Sequence, residues 1–262
     1  MSFLEEEKSS PISFTLLIAV FALVALLGGA SWLVIIQKNF DEETLCELNT
    51  ENLMTVILFD KTGGFSENQE RMISQIIQKE MNVLTSGERL AVYGIDPKGM
   101  NGLSEPFFDK CKPRDGSEAD ALFENAILMK NKFNEQFSSV LEEVAEGQIQ
   151  AEGAQTSPLI ESLQDLVTIA TLNDAVKLNK IVMISDLLQH SQNISFYNFN
   201  LQEFKKEDLL PLVPDLLGVN VQLYWLLRDG NERAIQNVNL IPWWEHFFEY
   251  AGISNLNVTK VR

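Results

Sequence analysis

Residues 56–68, VILFDKTGGFSEN, bring an apolar run to an end at Asp60 and follow it with hydroxyls at Thr62 and Ser66. Two more places are built alike. Gln155-Thr156-Ser157 opens the apolar segment SPLIESL, and Ser185-Asp186 closes the apolar run KIVMIS. A carboxylate delivered at a strand end can act as a nucleophile that forms a covalent phosphoryl intermediate. Grouped with a second carboxylate and hydroxyls, it can instead supply hard oxygen ligands to Mg²⁺ or Mn²⁺, which keep waters and leave a coordination position open.

The surrounding pattern decides whether these places can meet. LMTVILF, RLAVYGI, KIVMIS, VNVQLYWLL and LNVTKV are short apolar runs suited to buried strands. Between them lie longer segments of helical period, such as ENQERMISQIIQKEMNVL, where Met72, Ile76, Ile77, Met81 and Leu84 share a face. ADALFENAILMKNKFNEQFSSVLEEVAEGQIQ fits one or two amphipathic helices, SPLIESLQDLVTIATL another, and PWWEHFFEYAG a last one with Gly252 after its end. Residues 96–118, rich in Pro and Gly, are expected to be one long loop. The order βαβ, loop, αα, β, α, β, α, β predicts an α/β domain with a doubly wound, mostly parallel, Rossmann-like sheet and helices on both faces. In such a sheet the three polar places fall on the edge formed by the strands' carboxyl ends, where ligands bind.

With Asp60, Thr62, Ser157 and Asp186 in those positions, the chain resembles a von Willebrand factor A (VWA) domain with its metal-ion-dependent adhesion site. That family has an Asp-x-Ser-x-Ser loop after its first strand, a Thr at a later helix start and an Asp after its fourth strand. By the resemblance Asp60 and Thr62 match the start of the loop, Ser157 the helix-start Thr, and Asp186 the last Asp. The chain departs from the pattern at Gly64, where the second loop hydroxyl belongs, so Ser66 serves only if the loop is enlarged. Lys61 adds a cation beside Asp60, and Leu187 stands where a Gly usually follows the last Asp. The resemblance covers residues 53–261 and implies a protein-binding module whose Mg²⁺ or Mn²⁺, held by Asp60, Thr62, Ser66, Ser157 and Asp186, takes a partner's carboxylate.

Two phosphoryl-transfer readings compete. DKTGG is similar to the phosphorylated loop of P-type ion-pumping ATPases, but over about seven residues, and the chain has no room for their many membrane helices and nucleotide domain. A haloacid-dehalogenase-like phosphatase also begins with an Asp after its first strand, which makes Asp60 the nucleophile and Ser185 a helper. Such an enzyme needs an acid two residues later, where Thr62 stands, because protonating a leaving group requires a workable pKa. Its late acidic pair has no better counterpart than Asp229 and Glu232, with Arg228 in place of a Gly. His190 and His246 are lone histidines, the aromatic PWWEHFFEY reads as core, and no P-loop, dinucleotide fingerprint or metalloprotease motif is present.

The chain has 262 residues and a formal charge of -17, with no Lys/Arg cluster, which argues against nucleic acid as a partner. Residues 12–36 are uncharged and apolar over 25 positions, enough to span a hydrocarbon layer of about 30 Å as a helix. A cleaved signal peptide is the competitor, yet the preceding MSFLEEEK is acidic and the apolar run continues past the small residues at 28–30. The division expected is a tail at 1–11, a transmembrane helix at 12–36, a linker at 37–52 and the VWA-like domain at 53–262. Cys46 and Cys111, with no partners for a zinc site, read as one disulfide formed in an oxidising compartment, with two unrelated buried thiols as the alternative. We therefore expect a single-pass protein of a bacterial inner membrane, its C-terminal domain periplasmic, working with protein partners in a membrane complex. A metal-free structural subunit is the remaining alternative.

Overall fold

The computed structural model describes residues 18, 21–24, 40–60, 64–95, 103–149, 156–173, 175–198, 201 and 209–262. Met1–Asn39 and Phe40–Arg262 form separate compact units. In the first, Ile18 and Phe21–Val24 are helical, and the rest of the expected membrane helix at 12–36 lies outside the described residues. Among the described residues no helix is long and apolar enough to cross a membrane.

The second unit is built on one six-stranded sheet. Its elements are β1 (Asn52–Phe59), α1 (Glu67–Val83), β2 (Arg89–Gly94), β3 (Phe108–Cys111), α2 (Ala126–Phe133), α3 (Ser139–Ile149), α4 (Leu159–Thr171), β4 (Val176–Ser185), β5 (Asn220–Leu226), α5 (Gly230–Ile235), α6 (Leu240–Tyr250) and β6 (Asn255–Val261). The strand order is β3-β2-β1-β4-β5-β6. β1 pairs in parallel with β2 and β4, β5 joins β4 and β6 in parallel, and β3 runs antiparallel at the edge. The α/β, mostly parallel, Rossmann-like architecture is therefore present, with β1 and β4 in the middle.

Alternate residues of the central strands serve two cores, as the two-residue period of a strand requires. Val56, Leu58, Ile181, Met183 and Leu223 face a cluster with Leu159, Leu163 and Leu166 of α4 and Trp244, Phe247 and Phe248 of α6. Ile57, Phe59, Val182 and Ile184 face the other, with Ile73, Ile76 and Ile77 of α1 and Leu141 and Ala145 of α3. Strands buried on both faces read as continuous apolar runs, which is why they are legible.

The segment 96–118 is not one loop. Its residues 108–111 form β3, held by a forked ion pair in which Arg89 Nε and Nη2 donate to the two carboxylate oxygens of Asp109, each at 2.6 Å. Asp109 and Lys110 break the apolar run, so four residues gave no strand pattern. Between α2 and α3 the helix widens into a π turn, Asn134–Ser138, which turns Phe137 inward against Phe108 with ring centroids 5.1 Å apart.

The stretch expected to be a linker, 37–52, is fastened to the domain from Phe40 onward. Cys46 and Cys111 are disulfide-bonded. Beside the bond Cys111 N donates to Thr44 O at 2.7 Å and Lys110 Nζ to Glu43 O at 2.6 Å. Asp41 stiffens the turn by accepting from Thr44 N and Oγ1.

Candidate functional site

Asp60 follows β1 directly, and its own N–H is bound to Ile184 O of β4 at 3.0 Å, so the ends of the two central strands stay in step. Ser185 Oγ, at the end of β4, donates to Asp60 Oδ2 at 2.7 Å. Ser157 Oγ, just ahead of α4, donates to the same oxygen at 3.0 Å. Ser157 is held there by a two-way backbone bridge with His190, N to O at 2.9 and 2.8 Å. Asp60, Ser157 and Ser185 are all buried. Three of the places singled out from sequence thus converge at the carboxyl edge.

Asp186 completes the cluster and is also buried. Its Oδ1 accepts from Leu188 N at 2.9 Å, and its Oδ2 accepts from Arg228 Nε at 2.8 Å. Burial pushes the Asp186 carboxyl up to about 7, the charge of Asp60 adds to the rise, and Arg228 opposes it. Asp60 is thus near enough for the two carboxylates to repel.

Arg228, two residues beyond β5, is the group the sequence did not single out for the site. Its side chain is 6 % exposed, so it is an interior cation rather than a surface one. One arm holds Asp186 and the Nη1 arm donates to Gly64 O, in the loop after β1. Its backbone N–H is fixed by Gln236 Oε1 at 2.8 Å, while Gln236 Nε2 donates to Asp186 O and Leu226 O. A signal existed: an Arg immediately past a buried strand, on the edge that already holds two carboxylates, is where a counter-charge is needed.

Leu187 adopts φ +64°, the left-handed region, with its side chain fully buried. For a residue with a Cβ this costs about 1–2 kcal/mol. The strain is held in place from both sides. Ser185 Oγ accepts from Leu187 N at 2.8 Å, and Trp244 Nε1 donates to Leu187 O at 3.0 Å.

Ser66 is placed apart from this cluster. It is the N-cap of α1, accepting from Gln69 N while Gln69 Oε1 accepts from Ser66 N, a reciprocal capping box. Thr62 and Lys61 lie outside the described residues. Among the described residues no three His, Cys, Asp or Glu side chains group as a metal shell. Among the described residues the donors do not fit a divalent ion. Asp186 Oδ2 is directed at a guanidinium, Ser66 is committed to its helix, and Arg228 supplies a positive charge where Mg²⁺ or Mn²⁺ would have to.

The class defined by fold and site is an α/β domain with a doubly wound sheet whose carboxyl edge carries an internally paired carboxylate cluster. No family model and no curated protein matches the sequence. Among solved structures the chain is similar to a von Willebrand factor type A protein from Catenulispora acidiphila, at 13% identity and a TM-score of 0.37. The match covers 79% of this chain and 43% of that one, so the chain spans less than half of its length.

Proposed function

We propose that the chain is a protein-binding module, carried on a membrane helix at residues 12–36 of a bacterial inner membrane, with its sheet domain in the periplasm. The observation behind this reading is the buried Arg228, which links Asp186 to the loop after β1 and brings a positive charge to the site from within the chain. The Cys46–Cys111 disulfide supports an oxidising compartment for the domain. The phosphatase reading needs a nucleophile open to a phosphate group, whereas Asp60 is buried and its Oδ2 accepts two hydroxyl donors. A module on a membrane helix is confined to two dimensions, which raises its effective concentration for partners in the same membrane.

The test is co-purification of the detergent-extracted full chain with its partners, in EDTA and in Mg²⁺. The same partners are expected in both. Loss of partners in EDTA would restore a metal-dependent site. A hydroxylamine-labile phosphate on Asp60 that Asp60→Asn abolishes would make the protein an enzyme.

A further inference from the structure

The β3 side of the domain carries an apolar surface that nothing among the described residues covers. Leu122, Phe123, Ile127 and Leu128 are 86%, 87%, 74% and 65% exposed, and α2 has no buried residue. Four large apolar side chains this close in sequence are unlike the scattered ones that any surface tolerates. They lie close to the point at which the chain enters the domain. Cys46 is bonded to Cys111, and three residues further on Arg114 is ion-paired with Glu124 and donates to Glu118 O at 2.8 Å. Asp120 Oδ1 accepts from the N–H groups of Leu122 and Phe123, which fixes the turn that displays them.

Three residues, 37–39, separate the apolar run at 12–36 from Phe40, a reach of at most about 14 Å even when extended. Phe40 is itself 54% exposed. Lys130 and Lys132 sit in the last turn of α2, in a protein whose net charge is -17. Exposed apolar side chains next to lysines are the composition of a segment that lies in a membrane interface. Asp115, Glu118, Asp120 and Glu124 lie in the same stretch as Arg114, Lys130 and Lys132, which leaves residues 114–132 close to neutral in a chain of net charge -17, so anionic headgroups repel this face less than the rest of the domain.

We propose that Leu122, Phe123, Ile127 and Leu128 dock on the bilayer surface, with their side chains at the boundary of headgroups and acyl chains and Lys130 and Lys132 among the phosphates. The docking rests on the reading of residues 12–36 as a membrane helix. It would hold the domain in a fixed tilt, β3 edge down, with the carboxyl-edge site at a set height above the lipid.

The experiment uses the full chain in vesicles of phosphatidylethanolamine and phosphatidylglycerol, with Phe123→Trp in a Trp32→Phe background. Flotation with the vesicles tests the membrane helix separately. Acyl chains brominated near the headgroup are expected to quench the added indole about twofold, read as the difference from the same chain with Phe123 kept. A control indole introduced by Val238→Trp, exposed beside Trp225 of β5 on the opposite side of the sheet, is expected to keep its emission. Emission from the Phe123→Trp indole that brominated lipid leaves unchanged in a floating chain overturns the docking alone. Failure to float overturns the docking together with the membrane reading. A blue shift that follows protein-to-lipid ratio without quenching assigns the face to a second copy instead, which also overturns it.

Discussion

Replacing Arg228 by Met separates an internal counter-ion from a merely convenient side chain. Asp186 has its folded pKa raised from an ordinary carboxylate value of 3.8 to about 7. The sign follows from linkage: stability from this group is full below about pH 4 and declines as pH rises toward 7, because the unfolded chain releases the proton first. Above 7 the wild type pays no more, since Asp186 is ionised and paired. Without Arg228 the carboxyl pKa rises by a further 1–3 units or so, the usual effect of one adjacent opposite charge. The variant then keeps losing stability above pH 7, at about 1.4 kcal/mol per pH unit, until its own pKa is reached. We expect Arg228→Met to cost about 1 kcal/mol at pH 6, from the lost bond to Gly64 O, and about 1.4–2.8 kcal/mol more at pH 9. Urea unfolding of the full chain in micelles, followed by tryptophan fluorescence from pH 6 to 9, measures the difference, and sites that titrate far away cancel in it. Asp186→Asn with Arg228→Met should remove the pH dependence. A wild-type-minus-variant difference that stays flat from pH 6 to 9 refutes the pairing as the reason for Arg228.

Ser185→Ala should cost about 2–3 kcal/mol, because the hydroxyl both donates to the buried Asp60 Oδ2 and accepts from the strained Leu187; the same urea midpoints report it, and a loss under 0.5 kcal/mol, roughly the scatter of a surface change, would count against the cluster as a unit. Reduction of the Cys46–Cys111 bond, or Cys46→Ser with Cys111→Ser, should lower stability by about 4 kcal/mol for a loop closed across a sequence separation of 65 residues. Thermal scans with and without reductant give that number, and alkylation of both cysteines without reductant would remove its basis.

The sheet was readable because its central strands are apolar on both faces, and the three polar places could be put on one edge from connectivity alone. Asp60, Ser157 and Asp186 were therefore found by position, before any contact was known. Ser66 illustrates the limit of that reasoning: a Ser three residues ahead of a Gln at a helix start is a capping box by local pattern, and the cap claims its hydroxyl. β3 was missed because Asp109 and Lys110 stand where a strand shows alternation; Asp109 is accounted for by Arg89 across the ladder and Lys110 by Glu43 O in the segment ahead of β1. Arg228 was noticed as a mismatch to a phosphatase motif and not as a cation. Its role depends on Gly64 and Asp186, 164 and 42 residues away, a separation that no local pattern encodes.

The link between Cys46 and Cys111 also decides where a mechanical load enters the molecule. β1 starts at Asn52, six residues after Cys46, and it is a central strand zipped in parallel to β2 and β4. A pull applied at Phe40 in a reduced chain would run straight into β1 and draw it along its neighbours. With the bond closed, the same force has a second path at Cys46, into β3, the edge strand that the Arg89–Asp109 fork ties down. The cross-link therefore divides a pull from the N-terminal side between the edge of the sheet and β1, and the strand that leads to Asp60 bears less of it.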